Sequence, residues 1–126
     1  MDRPAPPPHW RSALLLLHAL VELSVAVLMW AAPGVFFSSP TPELVALARS
    51  FGVGAGAVGL LSLLLVRQAG GPALRIGAIT LAMYQAGIGV AQVLAPMPGV
   101  PAWVPVSFHA AFALAFAYIA ARAEPE

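Results

Sequence analysis

The fold class predicted here is all-α: an integral membrane, up-down-up-down antiparallel bundle of four transmembrane helices. Three observations predict it. Hydrophobic residues make up 60% of the 126 and charged residues only 9%, whereas soluble domains carry about 25% charged residues. Four apolar runs recur along the chain, each with the roughly 17 to 25 residues needed to cross a bilayer. Short connections rich in proline and glycine separate them, and such connections join antiparallel neighbours. A chain of this length has room for one compact domain.

Composition also excludes several classes. Without cysteine there is neither a disulfide framework nor a thiolate metal site. All six basic residues are arginine, spread along the chain for a formal net charge of +1. Nucleic-acid binding needs a basic patch, and there is none.

Residues 1–11 begin MDRPAPPPH, with four prolines and almost no apolar anchor, and read as a disordered, proline-rich tail. The first span is placed at 12–32. It contains LLLLHALVELSVAVLMW, longer than the 7 to 15 apolar residues of a secretory signal and interrupted by Glu22, so it reads as a retained helix. Pro33 and Gly34 end it. In the connection that follows, Phe36 and Phe37 suit a membrane surface.

Thr41 is placed as an N-cap, with Pro42 at the first helical position and Glu43 beside the positive end of the dipole. The second span is placed at 43–66, the third at 74–94 after the break RQAGGP, and the fourth at 103–121 after APMPGVPAW. A charged tail, 122–126, closes the four-helix domain at 12–121. Arg3, Arg11, Arg67, Arg75 and Arg122 fall in the flanks on one side, which predicts that both termini are cytoplasmic. Trp10 suits the cytoplasmic interface, and Trp30 and Trp103 the opposite one.

Inside lipid, small residues let helices approach closely, and the second span offers Gly52, Gly54, Gly56 and Gly59. Three of these spell GxGxxG, but the fingerprint needs a strand before it and a helix start after it, and here it lies within one apolar helix. The stripe Gly52, Gly56 and Gly59 is expected to face inward together with Arg49, leaving Ser62 on the opposite side.

A carboxylate inside a span costs at least about 2.5 kcal/mol unless the protein pairs it. With a rise of about 1.5 Å per residue, Glu22 lies about 13 Å from the non-cytoplasmic helix ends, Arg49 about 9 Å, Gln85 about 15 Å and His109 about 9 Å. The expectation is one polar layer in which Arg49 neutralises Glu22. His18 lies a turn deeper on the Glu22 face, and Tyr84 and Gln85 extend the network from the third helix. The layer is either an ion pair fixing register or the lining of a cavity for a polar head group or protons. His18, His109 and Glu22 are not read as a metal site. The two imidazoles are about 10 Å apart in depth, and Arg49 would repel a cation.

The order of features, HALVEL running to AAPGVFF, then ALARSFGVGAGAVGLL, a Tyr-Gln third helix and SFHAAFALAF, resembles small bacterial four-helix membrane proteins of the DoxX-like and domain-of-unknown-function kind. The resemblance spans residues 12–121. It implies a fold and a bacterial inner membrane, and supplies no activity or catalytic residue.

Three functions are compatible with these residues. The first is a non-enzymatic structural or accessory subunit, or a binder of a lipophilic small molecule around Glu22 and Arg49. The second is an enzyme acting on a lipid or quinone-like substrate with Glu22 or His109 as acid or base. The third is a proton-coupled carrier, which requires a homo-oligomer or larger complex. No cofactor is expected, and the partner common to all three is the lipid bilayer.

Overall fold

The structure, a computed structural model, describes residues 8–37, 39, 41–68, 70–94 and 100–123. Among these residues it is all-helical, with four long helices and no strand: α1 (His9–Ala31), α2 (Pro42–Leu65), α3 (Gly71–Leu94) and α4 (Trp103–Arg122). All four are long and apolar enough to cross a membrane. A 3-10 turn, Pro33–Val35, follows α1. The tail expected at 1–11 lies outside the described residues as far as position 7. From His9 onward the chain is helical, so α1 begins a turn before the expected Ser12 and includes Trp10 and Arg11. No side chain caps its start, and the first helical bonds run from the Arg11 and Ser12 amides to the Pro8 carbonyl at 3.0 and 3.4 Å.

Local chemistry sets the other boundaries. Thr41 Oγ1 accepts from the Leu44 amide at 3.3 Å, with Pro42 at the first helical position and Glu43 in the first turn, as the N-cap expectation requires. The start of α3 moves back from the expected 74 to Gly71. That residue has φ +81°, in a region where a Cβ would be strained and glycine is not. At the far end Arg122 occupies the last turn of α4, where a cation complements the helix dipole, and its guanidinium lies 5.4 Å from the Tyr118 ring centroid.

The chain forms two compact units, one built on α1 and α2 and the other on α3 and α4. In the first, α1 and α2 run antiparallel: Gly52 faces Ala26, Met29 and Trp30, Gly59 faces Glu22 and Leu23, and Ser62 meets His18. The buried positions of α2 are Ala48, Gly52, Ala55, Gly59, Ser62 and Leu65. Steps of four, three, four and three residues carry this stripe from Ala48 to Ser62, the 3.5-residue repeat of helices packed at a small crossing angle. Arg11, Leu15, His18 and Glu22 follow the same spacing on α1.

This repeat corrects the expected inward face of α2. A strict i, i+4 reading selected Gly52 and Gly56, but a straight helix drifts from such a line. The observed stripe passes through Ala55 instead, leaving Gly56 half-buried and Gly54 exposed. Ser62 falls inside the seam and is completely buried, the reverse of its expected position. Arg49 falls outside it and is exposed.

In the second unit α3 packs on α4, with a Cβ at Gly89 3.5 Å from His109 Cβ. Phe108, Phe112 and Phe116, spaced one turn apart, form a ladder with centroid separations of 4.9 and 5.8 Å, and Phe116 is fully buried. Such pairs add to area burial.

Candidate functional site

Small residues on α2 create the site. At Gly59 an added Cβ would lie 2.9 Å from Leu23 Cγ and 3.3 Å from Glu22 Cβ, so glycine here lets α2 close onto these α1 side chains. One turn further on, Ser62 is small enough to accept an imidazole against it. His18 Nδ1 stands 2.8 Å from Ser62 Oγ, while His18 Nε2 stands 3.5 Å from Glu22 Oε1 across one turn of α1. His18 and Ser62 have no exposed surface and Glu22 has 4%. The result is a carboxyl, an imidazole and a hydroxyl in line across one interhelical seam.

The expected partner of Glu22 is elsewhere. Arg49 lies with its guanidinium carbon 5.8 Å from the Trp30 ring centroid, a cation–π contact at the end of α1. Helix offset explains the error. The depth estimates assumed level helix ends, but the last turn of α1 meets Gly52, ten positions beyond Pro42, so α2 overhangs by about 15 Å. Glu22 consequently sits opposite Gly59, and the structure does not bring Glu22 and Arg49 together.

Two other predicted site residues do meet in the second unit. His109 Nδ1–H donates to Gln85 Oε1 at 2.5 Å; Gln85 is fully buried and His109 half-buried. Phe108 stands edge-on to the His109 ring with centroids 5.6 Å apart. Tyr84 is the neighbour of Gln85 on α3 and half-buried. Each unit therefore holds an interhelical side-chain hydrogen bond made by a histidine Nδ1. The sequence reading missed Ser62, although its spacing of three from Gly59 and seven from Ala55 is the signal that places it in the seam.

A serine, a histidine and a carboxylate in contact suggest nucleophilic catalysis, but the geometry does not equip Ser62 for it. Its hydroxyl donates to the Val58 carbonyl at 3.1 Å, and it sits inside a helix whose amides are engaged in the helical ladder. No pair of amides is left to stabilise an oxyanion beside it. Among the described residues, no three His, Asp or Glu side chains gather as a metal site.

Compared with family profiles, with curated proteins and with solved structures, the chain matches none.

Proposed function

We propose that this chain is a small polytopic integral membrane protein with a non-enzymatic role, a structural or accessory subunit or the holder of a lipophilic ligand. On this reading its four helices cross a bacterial inner membrane up-down-up-down, with both termini cytoplasmic. One observation carries it: large apolar side chains point outward in mid-helix while polar groups turn into the seams. Leu20, Leu64, Met83 and Leu114 are 65 to 72% exposed, whereas His18, Glu22, Ser62 and Gln85 are at most 4% exposed. A water-soluble surface has the opposite distribution, and apolar exposure on this scale needs a hydrocarbon solvent.

Aromatic placement supports the same reading. Trp10, Trp30 and Trp103, at helix ends, are 50 to 71% exposed, as expected of indoles at membrane interfaces. Arg49 beside Trp30 fits there too, its guanidinium reaching toward head groups rather than toward the core. The test is extraction. After expression, the protein stays with the membrane pellet through an alkaline carbonate wash and leaves it only with detergent. Release by carbonate alone overturns the reading.

A further inference from the structure

The proton arrangement within the α1–α2 seam leads beyond structural support. Ser62 has one hydroxyl proton, and the Oγ to Val58 carbonyl contact of 3.1 Å uses it. With the hydroxyl turned to Val58, the 2.8 Å contact between Ser62 Oγ and His18 Nδ1 is filled by a proton on Nδ1; with Nδ1 bare, the hydroxyl turns to the ring instead. That leaves His18 Nε2 facing the Glu22 carboxyl oxygen at 3.5 Å. A second ring proton, on Nε2, would bridge this contact and set an imidazolium against the carboxylate. The cluster is then neutral overall.

We infer that His18, Glu22 and Ser62 form a proton-binding site within the α1–α2 seam, which takes up and releases one proton by reversing the Ser62 hydrogen bond. On release the ring keeps a proton on Nε2, which donates to the Glu22 carboxylate, and Nδ1 becomes bare. The Ser62 hydroxyl then turns from Val58 to donate to Nδ1. Three labile protons become two, and the summed charge of the three groups goes from zero to −1. A hydroxyl with two alternative acceptors is what allows both states to be satisfied in a dry seam.

Among the described residues of the α1–α2 unit, the charged groups can be placed one by one. On α1, Arg11 lies two turns toward the N-terminus on the same buried stripe. On α2 the residues facing the site are Gly59 and Ser62, while Glu43 and Arg49 lie toward the opposite end and Arg67 lies five residues beyond Ser62. The 3-10 turn Pro33–Val35 has no titratable side chain. A proton is the ligand this donor and acceptor set recognises.

The inference rests on the membrane reading, and one sample tests both separately. Protein with 15N-labelled histidine is reconstituted in phosphatidylcholine nanodiscs, and the ring nitrogens of His18 are followed by NMR from about pH 4 to 10, the span across which imidazoles and shifted carboxyls titrate. The signals are assigned by their loss in His18→Asn. Expected is one step in which Nδ1 passes from N–H to bare nitrogen while Nε2 stays protonated, and a shift of that step by at least about tenfold in proton concentration, about one pH unit, in Glu22→Gln. A His18 ring that keeps one protonation pattern throughout, or a step at the same pH in both proteins, overturns the proposal. If Glu22→Gln fails to fold, the wild-type pattern decides alone, since loss of the Nε2 proton in place of the Nδ1 proton also overturns it. Failure of the protein to enter nanodiscs counts against the membrane reading instead, and the same titration in detergent then decides the proton site.

Discussion

Ser62 Oγ and His18 Nδ1 are hydrogen-bonded across the α1–α2 seam at 2.8 Å with both side chains fully buried, which makes this bond the register mark of the hairpin. The contact also explains why His18 tolerates a position in the middle of an apolar helix. Removing Ser62 Oγ takes away the hydrogen-bond partner of the buried His18 Nδ1, at a cost of about 1 to 3 kcal/mol. Ser62→Ala therefore lowers the thermal stability of the detergent-solubilised protein, and Ser62→Leu lowers it further by forcing the helices apart. Leu64→Ser, on the exposed face of the same helix, leaves the melting temperature nearly unchanged. Equal losses at positions 62 and 64 would contradict the seam.

Close backbone approach gives a second prediction. A Cβ at Gly52 would stand 3.1 Å from the Ala26 carbonyl oxygen and 3.0 Å from Trp30 Cδ1, whereas one at Gly54 meets nothing within 4 Å. Backbone cannot yield as a flexible side chain does, so Gly52→Leu costs about 1 to 3 kcal/mol or prevents folding. Gly54→Leu is tolerated. Melting curves of the two variants in one detergent check the difference.

Arg49 stacks on Trp30 and does not pair with Glu22, which makes two double-mutant cycles informative. Arg49→Met and Glu22→Gln have additive effects within about 0.5 kcal/mol, as residues without shared contacts do. Arg49→Met and Trp30→Leu are coupled by about 0.5 to 1 kcal/mol, the range of an exposed cation–π contact. Denaturation of the four single and double variants measures both terms. Rescue of Glu22→Gln by Arg49→Met would reinstate the ion pair.

The topology under the membrane reading can be read by labelling. Single cysteines at Ser39 and Gly70, introduced into a chain that has none, report opposite sides of the membrane. An impermeant thiol reagent applied to intact cells modifies position 39 and spares position 70. The reverse pattern would invert the orientation inferred from arginine placement.

Composition and run length were sufficient to determined outcomes at the level of elements. Four long apolar helices, the Thr41 cap and the Pro33–Gly34 stop all follow from local chemistry that acts within a turn or two. Gln85 and His109 were each legible as polar residues within a span, but their hydrogen bond to one another was not read from the sequence. Nor were the partners of Glu22. They depend on how far α2 slides past α1, and on a seam that repeats every 3.5 residues rather than every four. Both quantities are set by which small residues let the helices close up, Gly52 against the Ala26 backbone and Gly59 against the Glu22 and Leu23 side chains. A polar residue's neighbour across a seam is a property of two helices at once, so the sequence supplied His18, Glu22 and Ser62 separately and only tertiary packing made them one site.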